Sequence, residues 1–192
     1  MPRLFTGLEI PAALSDSLSL LRGGLPGARW IDPENYHLTL RFIGDVDDDV
    51  AQEIEWLLGK VRREDFELRI DGLQSFGGRK PRAIVATVAP SPAVMELQAE
   101  HERLMQRVGL DPEGRKYTPH VTLARLRDTS SQDVAEYLSA RGGFRSPPFQ
   151  VSNFVLFSSR ASVGGGPYVV EAAYPLARGQ EKGEPVFRPA AR

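Results

Sequence analysis

Hydrophobic positions along the chain fall into two kinds of run, one at every second residue and one at helical spacing, and the two alternate in order. Residues 3–10 are mostly apolar and predict a strand. Residues 11–25 predict a helix, with Pro11 in its first turn, Leu14, Leu18, Leu21 and Leu25 at helical spacing, and Gly23 and Gly24 weakening its end. After the turn Pro33-Glu34-Asn35, residues 36–43 alternate as a strand, and residues 47–61 follow as an amphipathic helix with acidic residues in its first turn. Residues 66–73 and 82–88 then read as strands around a turn at 77–81.

The same order recurs downstream. A helix over 92–108, a loop with Pro112 and Gly114, a strand over 117–126 and a helix over 131–140 repeat the first half. Strands over 149–157 and 168–174, separated by Gly164-Gly165-Gly166-Pro167, complete the pattern. Residues 179–192 lack periodicity and read as a loose tail. Two similar halves predict an α+β fold of two pseudo-symmetric lobes, each a mainly antiparallel sheet with helices on the outside. The lobes are expected at about 1–80 and 81–178 of a single 1–178 domain, with strands free to exchange, and the active site in the cleft between them.

Composition narrows the function. A hydrophobic content of 41% sustains one core, while 24 Lys+Arg against 25 Asp+Glu leave a net charge of -1. That balance excludes bulk electrostatic wrapping of nucleic acid but leaves room for a local basic groove. The chain has no cysteine, which removes disulfides, thiolate metal sites and a cysteine nucleophile. Glu9, Pro11 and Asp16 interrupt any secretory pattern, and no apolar run reaches the length of a membrane span, so a cytoplasmic protein without a membrane association is expected.

Of the three histidines, two stand in one tetrapeptide, His37-Leu38-Thr39-Leu40 and His120-Val121-Thr122-Leu123, each in the second strand of its half. By composition counting, that coincidence has odds of about one in 10⁴ to 10⁵, so a structural explanation of both is disfavoured. Strand geometry sets His37 beside Thr39 and His120 beside Thr122, with the intervening residues facing the core. Two imidazoles and two hydroxyls converging from two lobes suit a strained cyclic phosphodiester. One imidazole protonates the leaving ribose oxygen, the other takes a proton from water, and the hydroxyls meet the charge that builds on the non-bridging oxygens. The scheme asks for no metal or other cofactor, and two histidines alone fall short of a zinc ligand set.

The arrangement resembles the two-histidine (2H) phosphoesterase superfamily, defined by two His-x-Thr-x motifs, and within it the RNA 2′,3′-cyclic phosphodiesterases, also called 2′-5′ RNA ligases. The segments 30–44, around Tyr36-His37-Leu38-Thr39-Leu40-Arg41-Phe42, and 117–125, around Pro119-His120-Val121-Thr122-Leu123, carry the likeness. The resemblance implies hydrolysis of RNA or nucleotide 2′,3′-cyclic phosphate ends to 2′-phosphates, with reversible 2′-5′ ligation as a variant. It further implies His37 as proton donor, His120 as proton acceptor, and Thr39 and Thr122 as phosphate ligands. Its partners would be RNA ends or small cyclic nucleotides, with no obligate protein partner. A module that binds nucleotides without turnover is the alternative, and a cyclic-nucleotide assay separates the two.

Four more residues are candidate RNA contacts. Arg41 shares strand parity with His37 and Thr39, whereas strict alternation sends Arg125 to the opposite face, from where it reaches RNA at a strand end. Trp30 and Tyr117 are candidates for stacking on a base, and Phe42 is assigned to the core by parity. His101, in Glu100-His101-Glu102, reads as structural. Gly77-Gly78-Arg79-Lys80-Pro81-Arg82 reads as a solvated hairpin turn in preference to an RNA contact.

Overall fold

The computed structural model describes residues 3–159 and 166–179. In chain order these form β1 (Arg3–Glu9), α1 (Ala12–Ser19), β2 (Ala28–Trp30), a 3-10 turn (Pro33–Asn35), β3 (His37–Asp45), α2 (Asp48–Leu58), β4 (Phe66–Leu68), β5 (Ile70–Phe76) and β6 (Ala83–Val88). The chain continues through α3 (Pro92–Arg107), β7 (His120–Leu126), α4 (Ser131–Arg141), β8 (Phe149–Val151), β9 (Asn153–Ser159) and β10 (Tyr168–Pro175). The expected α+β class and antiparallel pairing are present. The predicted turn at 164–167 lies partly, and the tail beyond 179 wholly, outside the described residues.

An eight-stranded sheet runs β10-β9-β1-β3-β7-β6-β5, with β2 also on β7, and its pairings are antiparallel. From the central pair β3 and β7 the order reads alike in both directions: β1 then β9 on one side, β6 then β5 on the other. Strand β5 comes from the first half of the chain yet pairs with β6, and β9 comes from the second half yet pairs with β1. Each lobe therefore mixes both halves. The two short strands β4 and β8 pair with each other and tie the exchange together.

Helices cover one face of the sheet. Leu14 and Leu18 of α1, Ile54 and Leu58 of α2, Val94, Leu97 and Met105 of α3, and Val134 of α4 share one core with Leu38, Leu40, Val121 and Leu123 of the central strands. Burying each of these large side chains stabilises by about 1.5–3 kcal/mol. The opposite face of β3 and β7 is left for the site. No helix among the described residues is long and apolar enough to cross a membrane.

Three local differences from the sequence expectation have physical causes. Helix α1 stops at Ser19, ahead of Gly23 and Gly24, which both adopt positive φ. Each of the runs predicted at 66–73 and 149–157 is two strands, β4 and β5 in one and β8 and β9 in the other, because the chain leaves one sheet to join another. Strand β2 was not expected; three residues are too few for a periodic signal, and it forms only because β7 offers a free edge there.

Candidate active site

Strands β3 and β7 meet through one pair, Leu38 opposite Val121, both fully buried. One step along antiparallel strands sets His37 against Thr122 and Thr39 against His120 on the opposite face. Opposed side chains in such a ladder stand about 5 Å apart at Cβ, so the four groups surround one point. All four line a cleft of about 840 Å³.

Each imidazole is oriented by the backbone just before it. Nδ1–H of His37 donates to the Asn35 carbonyl at 3.0 Å, and Nδ1–H of His120 donates to the Thr118 carbonyl at 2.6 Å. Nε2 is then the atom that exchanges a proton. For His37 it lies 2.9 Å from the Thr39 hydroxyl. Burial pushes both histidines below their ordinary range, His37 down to about 4, with the Arg125 guanidinium adding to the effect in each. His120 also lowers His37. Both rings are thus neutral near pH 7 without an anion.

The walls around the two rings differ. His37 is packed by Phe5 at 4.9 Å, Phe157 at 5.6 Å and the edge of Tyr168 at 4.8 Å. Among the described residues His120 meets one aromatic ring, that of Phe76, edge to face at 4.8 Å. Asn35 braces the first wall twice, since its side-chain oxygen accepts from the Tyr168 N–H at 3.4 Å while its carbonyl holds His37.

Strand parity assigned Phe42 and Arg125 to the wrong faces, and a bulge is the reason. The register passes from Gly7 opposite Thr39 to Thr6 opposite Arg41, leaving Leu40 as an extra residue. It passes from Val85 opposite Thr122 to Ile84 opposite Ala124, leaving Leu123 extra at the matching place. Beyond an extra residue the alternation flips. Arg41 accordingly turns toward α3, where it is 7% exposed and bonds Glu102, the Asp111 carbonyl and the Phe42 carbonyl, and from there it still lines the margin of the cleft. Phe42 turns into the cleft and is 51% exposed, and Arg125 joins His120 and Thr122 there. The signal was in the sequence: Leu38, Leu40, Ile43 and Val121, Leu123, Leu126 each break a spacing of two with a spacing of three.

The stacking candidates separate as well. Trp30 packs against the core and the Tyr137 ring at 5.7 Å and does not line the cleft, because β2 turns it toward α4. Tyr117 lines the cleft, but its hydroxyl donates to the Thr39 carbonyl at 2.7 Å, and burial pushes its phenol up. It braces β3 beside the motif. His101 is fully buried, bonds the Thr6 hydroxyl at 2.8 Å and is held down to about 3 by burial, in keeping with a structural residue.

Known proteins share this plan. A family model described as LigT-like phosphoesterase matches twice, over residues 8–86 and 87–168. The chain is 36% identical over 118 residues to an RNA 2′,3′-cyclic phosphodiesterase of Aeropyrum pernix, covering 60% of this chain and 65% of that protein. It is 32% identical to an RNA 2′,3′-cyclic phosphodiesterase of Thermotoga maritima, covering 75% of this chain and 77% of that one. Among solved structures, E. coli LigT complexed with 3′-AMP superposes with a TM-score of 0.72 at 24% identity, over 93% of this chain and 100% of that one.

Proposed function

Since the chain belongs to the LigT-like phosphoesterases, we propose that it hydrolyses 2′,3′-cyclic phosphates at RNA ends, with His37 and His120 as acid and base. In this reaction Nε2 of His120 takes a proton from water as the water oxygen bonds phosphorus. The bond from phosphorus to O3′ breaks, and Nε2 of His37 gives its proton to O3′. The product is a 2′-phosphate with a free 3′ hydroxyl. Thr39, Thr122 and Arg125 receive the charge that develops on the non-bridging oxygens. The exposed ring of Phe42 is a platform for the nucleobase.

The neutral state of both rings in the free protein is compatible with this scheme, because the substrate is an anion. A unit charge about 4 Å away in a site of effective dielectric near 20 favours the imidazolium by about 4 kcal/mol. That corresponds to roughly three pKa units. It is enough to bring His37 from about 4 back to the neutral range. Substrate therefore loads the acid with its proton. The reverse reaction, joining a 5′ hydroxyl to the cyclic phosphate through a 2′-5′ linkage, uses the same groups by microscopic reversibility.

The observation that carries the reading is the cross-strand square of His37, Thr39, His120 and Thr122 around the single Leu38–Val121 pair. Turnover of a 2′,3′-cyclic mononucleotide and of an RNA oligomer with the same terminus tests it. Product must be the 2′-phosphate. Saturable binding without product would establish a binding module instead, and His37→Ala and His120→Ala variants both within tenfold of the parent would dismiss the acid-base pair.

A further inference from the structure

Resting on that reading of the cleft, we infer that the RNA strand leading to the cyclic terminus leaves the reaction centre along the hairpin joining β5 to β6, whose cations hold its next phosphates. This turn is built to hold its shape. Gly77 has a φ of +110°, and a Cβ there would come within 2.3 Å of the Lys80 carbonyl oxygen and 2.8 Å of the Arg82 nitrogen. The turn is closed by Lys80 N–H on the Gly77 carbonyl at 3.1 Å and Arg82 N–H on the Phe76 carbonyl at 2.7 Å. The Ser131 hydroxyl of α4 pins it from outside through the Arg79 carbonyl at 3.2 Å.

That rigid turn carries Arg79, Lys80 and Arg82, all exposed. Among the described residues, none of the three has a carboxylate within ion-pair range. A solvated turn needs charge, but it does not need three cations held on one fixed frame and joined to a catalytic wall. Here the connection is direct. Phe76 touches His120, Gly77 and Arg82 line the cleft, and the Arg82 carbonyl accepts from the N–H of Leu126, next to Arg125. Neighbouring strands lie about 5 Å apart, so the cations step outward from Arg125 to Arg82 and then to the turn.

A cyclic mononucleotide has one phosphate, which Thr39, Thr122 and Arg125 already meet. It leaves the hairpin cations with nothing to bind. A polynucleotide supplies a further phosphate with every residue. The other cationic rim, Arg115 and Lys116, is less suited to the strand, because Asp111 and Glu113 share its loop and Glu113 accepts from the Arg115 N–H.

The test is kcat/KM, as a function of salt, on a 2′,3′-cyclic mononucleotide and on an RNA hexamer with the same cyclic terminus. The intact protein should favour the hexamer at least tenfold at low salt. The double variant Arg79→Ala/Lys80→Ala should lose about tenfold on the hexamer and flatten its log-log salt slope by about 1.4, given roughly 0.7 per phosphate on a single strand. It should stay within twofold of the intact protein on the mononucleotide. Arg79→Glu/Lys80→Glu should lose more on the hexamer alone. Equal rates of the intact protein on the two substrates, or equal losses on both in either variant, would overturn this inference while leaving the reading of the cleft in place. No turnover of either substrate by the intact protein would remove the reading and the inference together.

Discussion

The two walls of the cleft share a backbone and differ in what surrounds it. Both have a central strand bearing the histidine, a bulge three residues further on, and a Phe on the outer strand, Phe157 on one side and Phe76 on the other. The bulges turn Phe42 and Arg125 into equivalent places, opposite Phe5 and Ala83 respectively. Symmetry thus delivers two imidazoles to one cleft, and the exchanges Phe5 for Ala83 and Phe42 for Arg125 make the walls chemically unlike. The His37 wall is aromatic, strips water from its ring and holds it near 4 in the free protein. The His120 wall is cationic and continues into the basic hairpin.

The severest way to break that contrast is to remove each histidine in turn. His37→Ala and His120→Ala should each lower kcat by about 10²–10⁴. Equal losses would still leave the walls distinguishable, because the His37 variant should shed the alkaline limb of the pH profile and the His120 variant the acidic limb. Loss of the same limb in both would make the walls interchangeable.

Next in size is an effect on stability with no effect on chemistry. Glu102→Ala leaves the guanidinium of Arg41 buried without its carboxylate, which should cost about 3–5 kcal/mol. Its measure is the denaturant midpoint at constant slope, with kcat and KM of the surviving folded protein within twofold of the parent. A rise in KM without loss of stability would make the Arg41–Glu102 pair part of substrate binding rather than a brace between β3 and α3.

Smaller again are the two residues that the bulges exchange. Arg125→Ala should lower kcat by about 10- to 100-fold, the worth of one hydrogen bond from a charged donor of roughly 1.5–3 kcal/mol. It should also let both imidazoles rise, since the guanidinium holds both down. Phe42→Ala should instead raise KM, by the roughly 1–3 kcal/mol that stacking on one base supplies. If both variants moved the same kinetic constant, the division of labour between these equivalent positions would be wrong.

What was legible in the sequence follows from the range of each signal. The repeated His-x-Thr-Leu with its alternating neighbours is local, and it located the four central groups and the strands that carry them. Period and order along the chain also located the four helices. Pairing is not local: that β5 joins β6 and β9 joins β1 depends on partners far along the chain, which no window of periodicity contains. The failures at Phe42 and Arg125 were of another kind. Strict alternation is a good rule until one residue is inserted, and then every later side chain changes face together. Trp30 was misplaced because its strand is only three residues long and takes its direction from β7.

The gentlest probe changes only how much water each ring meets. Phe5→Leu keeps the wall apolar but opens it beside His37, so desolvation eases and the pKa of His37 rises from about 4 toward its ordinary 6.5. Protonated His37 then persists to higher pH, and the limb of kcat/KM that requires it should move in the alkaline direction by less than about one unit. Phe76→Leu does the same beside His120, whose deprotonated form is the one required, so its limb should move alkaline while that of His37 stays. In kcat, which reports the complex, the His37 limb should already lie above its position in kcat/KM, because bound phosphate has raised the ring, and Phe5→Leu should move it less. Displacement of both limbs by either single substitution would mean that the cleft has one shared environment, and the difference between its walls would have no chemical consequence.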